Sequence, residues 1–185
     1  MTSPTSCTDD TWLPAGHPDG EWLHVGIASQ CLRHYQGDLL LAEYPVSTAR
    51  NGAGETSGSE CTPRGWHVVR ARIGDGLPAC AVLRGRRATG EVWTPELHAA
   101  CPGRDWILTR ILWLSGRESG FNRGRRDDGV VVDSMRRYIY LHGTPDCEPM
   151  GEPLSHGCVR MRNSDIMELF ERVPAGLPVL ISEAA

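Results

Sequence analysis

The apolar stretches of this chain are short, and turn-forming residues separate them. Glycine accounts for 21 of the 185 residues and proline for 13, which leaves little room for long helices. The Gly37-Asp38 pair predicts the turn of a first hairpin, and residues 49–65 predict a long irregular loop. We predict strands at residues 25–31, 39–46, 66–73, 80–83, 90–93, 106–114, 138–141 and 179–181. Many short strands of this kind indicate a mainly β fold, either a sandwich or a barrel-like sheet.

One segment has the periodicity of a helix. Between residues 166 and 173 the apolar positions fall at i, i+3, i+4 and i+7, the spacing of one helix face. Asn163 or Ser164 is predicted as the N-cap. Pro174 and Gly176 are predicted to end the helix. We therefore expect one clear helix near the C-terminus of an otherwise β-rich domain.

Length and composition predict one domain behind a short lead-in. Residues 1–22 are rich in Thr, Ser, Pro, Asp and Gly and predict a flexible segment, with the folded domain at 23–185. No apolar run approaches the length of about 20 residues that a membrane helix needs, so we expect no membrane span. The lead-in lacks the basic and apolar regions of a secretory signal, which predicts a cytoplasmic protein. A periplasmic location is the alternative if the true start lies upstream of Met1.

The charged residues exclude several kinds of chemistry. The net charge is -4, and all 19 basic residues are arginine. Without lysine the chain can form no lysine Schiff base, no Ser–Lys dyad and no P-loop. The acidic balance also argues against nucleic acid as a partner.

The seven cysteines point to free thiols. They stand at positions 7, 31, 61, 80, 101, 147 and 158, an odd number with irregular spacing and no Cys-x-x-Cys pair. With no secretory signal predicted, this pattern favours reduced thiols over a disulfide framework.

Reactive residues concentrate in the C-terminal third, where His142-Gly143-Thr144 is followed by the segment Ser-His-Gly-Cys-Val-Arg at 155–160. A cysteine nucleophile needs a nearby base or cation to raise its thiolate fraction at neutral pH. It also needs N–H donors for the oxyanion that forms at the carbonyl it attacks. We expect the N–H groups of Gly157 and Cys158 to point into one pocket, with His142 held against it at a strand end.

These two motifs, with the run Tyr138-Ile-Tyr-Leu that precedes His142, resemble the signature of the L,D-transpeptidase family, the YkuD-type catalytic domain. The family pattern is a His-Gly pair, about fifteen residues, and then Ser/Thr-His-Gly-Cys with Arg or Asn two places later. Here fifteen residues separate His142 from Cys158, and Arg160 occupies the final position. The likeness extends over roughly residues 23–182 and implies a β-sandwich-like fold in a catalytic domain at 23–185.

The resemblance implies covalent acyl transfer on peptidoglycan stem peptides or muropeptides, without a cofactor or metal. By position Cys158 is the expected nucleophile and His142 the general base, oriented by the carbonyl of Gly143. Gly157 belongs to the expected catalytic set, as does His156, either as a hydrogen-bonding residue or in direct proton transfer. The expected substrate-binding residues are Arg160, Ser155, Tyr140 and Thr144. In the family, the scissile bond joins the L-centre of a diamino acid to a terminal D-amino acid.

Three outcomes remain open for this function. In the cytoplasm the enzyme meets soluble muropeptides, so we expect water to accept the acyl group, giving L,D-carboxypeptidase trimming of tetrapeptide to tripeptide in peptidoglycan recycling. The first alternative is L,D-transpeptidase crosslinking or D-amino acid exchange. The second, of another class, is a non-catalytic peptidoglycan-binding module, against which the intact Cys158 and His142 argue.

Several residues also have a simpler interpretation. Arg160 is alternatively a salt-bridge partner of Asp133 or Asp146, and Asp133 and Ser134 are candidates for ordering the site from behind. Cys147 is expected to be a loop bystander, with redox pairing to Cys158 as the alternative. Zinc is an alternative, since it prefers His and Cys ligands and the chain offers His142, Cys147, His156 and Cys158. This set lacks paired Cys-x-x-Cys spacing, and zinc bound to Cys158 would leave no free nucleophile.

Overall fold

The computed structural model describes residues 13–14 and 16–184. Residues 1–12 and 15, most of the predicted lead-in, lie outside the described residues, as does Cys7. The strands are β1 Glu21–Gly26, β2 Cys31–Gln36, β3 Leu39–Pro45, β4 Gly65–Ile73, β5 Ala81–Arg84, β6 Arg87–Val92, β7 Ile107–Gly116, β8 Tyr140–Gly143, β9 Val159–Met161 and β10 Pro178–Ser182. The helices are α1 Pro95–Ala100 and α2 Asn163–Arg172. The predicted mainly β fold is confirmed.

The ten strands found among the described residues join one sheet. Its order is β3-β2-β1-β10-β4-β7-β5-β6, and β8 pairs with β7 and carries β9 on its other side. Most neighbours are antiparallel, but β1 pairs in parallel with β10 and β8 in parallel with β9. The parallel β8–β9 pair is the one that matters for the site, because the two reactive motifs flank it.

The main core packs strands from both halves of the sheet against α2. Leu23 of β1, Leu112 of β7, Leu141 of β8 and Phe170 of α2 belong to one cluster and are fully buried. Shared burial of residues from such distant strands requires the sheet to curve round a common core, as in a sandwich. The apolar face of α2 covers that core, as its helical spacing predicts.

The N-terminal strands differ from the prediction, which has one strand where the structure has β1 and β2. The sequence predicts one strand over 25–31, whereas the chain turns at residues 27–30 between β1 and β2. Gln30 sits in the left-handed region with φ of 50°, which ends the extended conformation before Cys31. The turn at Gly37-Asp38 is confirmed, since it joins β2 to β3. β1 begins at Glu21, so the buried Trp22 belongs to the sheet rather than to the lead-in.

The helix predictions succeed in part. Helix α2 is confirmed, but its N-cap is Arg162, which makes no side-chain cap hydrogen bond, so neither Asn163 nor Ser164 is the cap. Asn163 is drawn inward instead, where its amide donates to the carbonyl of Thr144 at 2.8 Å. The short helix α1 is missing from the prediction, although Thr94 caps it and Pro95 stands in its first turn, both recognisable signals.

Within the described part of the chain, the two helices have six and ten residues, and neither has the length and apolarity to cross a membrane.

Candidate active site

The parallel β8–β9 pair brings the two reactive motifs side by side. His142 and Gly143 end β8, and Cys158 directly precedes β9. In the register of this pair His142 lies opposite Arg160, and Leu141 lies opposite Val159. Strand pairing therefore brings together two residues that fifteen positions separate in the sequence. The register of the pair fixes where the imidazole and the thiol lie along the two strands.

Cys158 lies half-buried in a cleft, with its sulfur between two main-chain groups. The Sγ–H donates to the carbonyl of Tyr138 at 3.4 Å, and the backbone of Tyr140 hydrogen-bonds the sulfur. Burial, the largest influence, raises the pKa of the Cys158 thiol to about 12, against the smaller lowering effects of Tyr140, Arg160 and Arg137. Burial therefore opposes the raised thiolate fraction that a cysteine nucleophile needs. The resting nucleophile is a neutral thiol that must lose its proton as it attacks.

His142 is buried and has one nitrogen fixed. Its Nδ1 lies 2.8 Å from the carbonyl of Gly143, the contact that the family resemblance implies. A carbonyl only accepts, so Nδ1 carries the proton and Nε2 is the basic nitrogen. Burial lowers the pKa of His142, opposed by the Gly143 hydrogen bond. The imidazole is therefore neutral at pH 7 and able to take up a proton.

The raised thiol pKa predicts an unusual alkylation profile. In folded protein without substrate, we expect the rate of iodoacetamide labelling at Cys158 to rise about tenfold per unit from pH 7 to 9 without levelling, because only the thiolate reacts. Mass spectrometry of the Cys158 peptide measures this rate. In the urea-unfolded chain the labelling rate of the same cysteine should level off above a pH of about 8.5, the ordinary pKa of a thiol. A plateau below pH 9 in the folded protein would contradict the prediction.

Ser155 closes the turn that presents Cys158. Its Oγ donates to the carbonyl of Cys158 at 2.5 Å and accepts from the N–H of Gly157 at 3.2 Å. The N–H of Gly157 therefore has Ser155 as its acceptor rather than pointing into the cleft as expected. Gly157 has φ of 128°, a conformation that a side chain would strain, which explains glycine at this position.

Thr62 anchors this turn from the long loop at 49–65. Its hydroxyl donates to the carbonyl of Gly157 at 3.0 Å and accepts from the N–H of Ala49 at 2.9 Å, and the side chain is fully buried. No sequence motif marks Thr62, because the contact joins positions 95 residues apart. Residues 49–62 of this loop therefore hold in place the turn that carries Cys158.

Removal of this hydroxyl should destabilise the protein. We expect Thr62→Val to lower the free energy of unfolding by about 2 kcal/mol, since the buried Ala49 N–H and Gly157 carbonyl both lose a partner. Urea denaturation measures the change. Thr89→Val is the matched control, because the exposed Thr89 can replace its contacts with water and should cost less than about 0.5 kcal/mol. Equal stability of the two variants would refute the anchoring role.

His156 faces solvent beside the cleft. Its Nε2 accepts from Arg50 Nη2 at 3.0 Å, which leaves the proton on Nδ1, 4.0 Å from the carboxylate of Asp105. The side chain is 44% exposed, and both nitrogens have protein neighbours. These contacts favour the hydrogen-bonding role of His156 over direct proton transfer.

Arg160 is part of a salt-bridge network, but with other partners than expected. It donates to Asp105 at 2.8 Å and lies 3.8 Å from Glu148, so the predicted pairing with Asp133 or Asp146 is wrong. Asp105, in the loop before β7, also approaches His156 and is a site residue outside the two reactive motifs. No motif marks it, because the loop reaches the site only through folding of the sheet.

These side chains surround one cleft of about 540 Å³. Of the expected residues, the cleft is lined by Tyr140, His142, Ser155, His156, Cys158 and Arg160. Thr144 is not among the lining residues; it is buried, and its N–H donates to Met161 at 3.1 Å. The lining also includes Arg86 and Arg137, which belong to neither of the two reactive motifs. The volume is that of a site for one small ligand or peptide end.

The sequence profile of the L,D-transpeptidase catalytic domain, the YkuD family, matches residues 20–181. The chain belongs to this family. Its identification as an enzyme of the L,D-transpeptidase family is thereby confirmed, and the profile covers all ten strands except the last residue of β10.

Curated relatives bear names from the same family. The "Probable L,D-transpeptidase YbiS" of Escherichia coli K12 is 33% identical over 96 residues, 51% of this chain and 29% of that protein. The "Probable L,D-transpeptidase ErfK/SrfK" of the same organism is 28% identical over 162 residues, 85% of this chain and 42% of that protein. The chain thus spans less than half the length of these relatives.

Solved structures share the fold at low identity. Bd1075 of Bdellovibrio bacteriovorus has a TM-score of 0.54 and 16% identity, with 89% of this chain and 48% of that chain covered. The L,D-transpeptidase LdtMt1 in complex with imipenem has a TM-score of 0.52 and 15% identity, covering 88% and 59%. At such identities these likenesses concern the fold alone.

The remaining candidates of this L,D-transpeptidase-family domain lie apart from the cleft. Cys147 is exposed and is not among the cleft residues. The hydroxyl of Ser134 hydrogen-bonds His67 Nε2 at 2.9 Å, and the carboxylate of Asp133 accepts a hydrogen bond from a backbone N–H of the preceding loop. Among the described residues, no group of three or more His, Cys, Asp or Glu side chains is placed to hold a metal ion. The four zinc candidates therefore do not form such a group.

Proposed function

We propose that this protein transfers the acyl part of peptidoglycan stem peptides through a thioester on Cys158. The observation that carries the proposal is the placement of Cys158 and the Gly143-anchored His142 on one cleft, in a member of the L,D-transpeptidase family. The donor proposed is a tetrapeptide stem whose diamino acid is joined to a terminal D-alanine.

The geometry supports a proton-coupled attack. As Cys158 Sγ bonds to the scissile carbonyl carbon, its proton passes to Nε2 of His142, because a thiol with a pKa of about 12 gives up no proton beforehand. The imidazolium then returns that proton to the departing amine as the C–N bond breaks. The Gly143 carbonyl holds Nδ1–H throughout and keeps the imidazole in the tautomer that can accept.

The finer proposal is that water resolves the thioester. His142 removes a proton from water, the hydroxyl adds to the carbonyl, and Cys158 leaves with the proton returned, so tripeptide is the product. The cleft volume of about 540 Å³ supports this outcome, since it suits one peptide end and water requires no second groove. The enzyme is then an L,D-carboxypeptidase that trims free muropeptides, which we propose takes place in the cytoplasm during peptidoglycan recycling.

One observation favours transpeptidation as a second candidate. A depression of about 570 Å³ adjoins the cleft and shares Asp105 with it, and Arg84, Glu91 and Arg104 line its other side. An amine acceptor, such as a second stem peptide or a free D-amino acid, could approach the thioester from there. Crosslinking or D-amino acid exchange would then replace hydrolysis.

Product analysis separates these outcomes. Incubation of the protein with a free tetrapeptide should give tripeptide and D-alanine, resolved by chromatography and mass spectrometry. Stem dimers or exchanged D-amino acids, formed in preference to tripeptide when an amine is supplied, would overturn the hydrolytic proposal and leave acyl transfer in place. Cell fractionation of the natural host tests the compartment separately.

A carbapenem tests the proposal against a non-catalytic binding module. Its strained carbonyl is an acyl donor, so an active nucleophile should yield one stable adduct on Cys158 by intact-mass and peptide analysis. Absence of both the adduct and stem turnover would indicate a binding module that retains the fold.

A further inference from the structure

Arg86 stands at the tip of the β5–β6 hairpin and lines the cleft beside Cys158. The two turn residues, Gly85 and Arg86, have φ of 55° and 66°, and the flanking Arg84 and Arg87 pair across the strands. Two left-handed residues in a two-residue loop are typical of the tight hairpin turn that matches strand twist. For arginine this backbone conformation is uncommon, and here it accompanies a side chain on the cleft.

Three aromatic side chains hold the Arg86 guanidinium in place. Its Cζ lies 4.6 Å from the ring centroid of Trp113 and 4.9 Å from that of Tyr138. Its Nη1 donates to the hydroxyl of Tyr140 at 3.1 Å. Cation–π contacts of this kind orient a guanidinium while leaving its N–H edge available.

The same two tyrosines connect Arg86 to the nucleophile. The carbonyl of Tyr138 accepts from Cys158 Sγ, and the backbone of Tyr140 hydrogen-bonds that sulfur. The guanidinium and the thiol are therefore joined through the same two tyrosines and line the same cleft. A donor whose scissile carbonyl meets the thiol can therefore place the residue beyond that carbonyl in the part of the cleft that Arg86 lines.

The other two arginines of the cleft are engaged. Arg160 pairs with Asp105 and Glu148. Arg137 donates to the carbonyls of Gly54 and Cys61 at 3.0 and 2.5 Å. Arg86, by contrast, has no carboxylate within salt-bridge distance among residues 13–14 and 16–184, and one of its five donors is used.

We propose that Arg86 binds the free carboxylate of the terminal residue that the reaction releases. Its planar fork suits a carboxylate, and its fixed position makes the enzyme specific for donors that end in a free acid. This inference deepens the proposed function and rests on it for the identity of the donor. The carboxylate binding itself is a property of the cleft that can be measured without turnover.

Paired alkylating reagents measure that property. Iodoacetate carries a carboxylate and iodoacetamide is neutral, while both alkylate the same thiolate, so the ratio of their rates at Cys158 cancels changes in thiol pKa. In Arg86→Gln we expect this ratio to fall about tenfold, the loss of a charge-assisted contact. Arg87→Gln is the matched control, since the exposed Arg87 is on the same hairpin but off the cleft, and it should stay within about twofold of the wild type. An unchanged ratio in Arg86→Gln overturns the inference.

A substrate pair tests the same inference in turnover. The wild type should cleave a tetrapeptide acid at least about tenfold better in kcat/KM than its C-terminal amide, and Arg86→Gln should remove this preference by losing activity on the acid alone. Equal losses on acid and amide would refute carboxylate binding. If the alkylation ratio changes as expected while no stem is cleaved, the proposed function fails and the carboxylate site stands.

Discussion

Replacement of Cys158 by alanine is expected to lower stem-peptide turnover at least about 1000-fold and to abolish the carbapenem adduct. The thioester needs this one sulfur, and among the described residues no other thiol lines the cleft. Chromatographic assay of tripeptide release and intact-mass analysis after carbapenem treatment measure the two effects.

Two neighbouring thiols provide controls. Cys147→Ser removes the exposed thiol between the two motifs, and Cys61→Ser removes a half-buried thiol near the nucleophile turn. We expect both to retain turnover within about threefold, because neither side chain lines the cleft. A Cys158→Ala protein that still trims stems, with circular dichroism unchanged, would mean that the nucleophile lies elsewhere.

Acid should destabilise the fold through two buried histidines. Burial lowers the pKa of His24 and of His67 to about 4. In the unfolded chain each imidazole takes up a proton as the pH falls below about 6.5, whereas the folded form does so only near 4. Stability is therefore lost as the pH falls from about 6.5 to 4, by about 3 kcal/mol for each histidine. Urea denaturation across this range measures the loss.

Variants at His67 test this account. His67→Gln should remove about half of the pH dependence between 6.5 and 4, since His24 still titrates. Ser134→Ala removes only the hydroxyl that contacts Nε2, so it should lower stability at every pH and keep the slope. Direct NMR titration of His67 in the folded protein should give a midpoint near 4, and a midpoint near 6.5 would contradict the prediction.

The parts of the site that sequence could predict are those encoded locally. Cys158, His142 and the Gly143 carbonyl follow from two short motifs, because the distance between the motifs is bridged by a strand pair that their own residues form. Helix α2 and most of the strands follow from periodicity, which acts within a few residues, whereas β2 and β9 are not among the predicted strands.

The parts that sequence could not predict depend on distant contacts. Asp105 reaches Arg160 across 55 positions, and Thr62 reaches Gly157 across 95, with no motif at either end. Arg162 rather than Asn163 is the N-cap of α2, because the amide of Asn163 donates to Thr144 and Asp146 in the interior instead of capping the helix end. The protonation of the Cys158 thiol also depends on its burial in the folded protein, which the residues next to it in the sequence do not reveal.

The central position of β10 has a consequence for how the protein forms. This strand pairs with β1 on one side and β4 on the other, so without it the sheet separates into the β3-β2-β1 group and the group from β4 onward. On the ribosome β10 is the last of these strands to be synthesised, so the two groups wait for it, and this long-range closure is slow compared with hairpin formation. Synthesis that stops before Pro178 should yield two incomplete sheets with exposed edges, a substrate for chaperones and proteases.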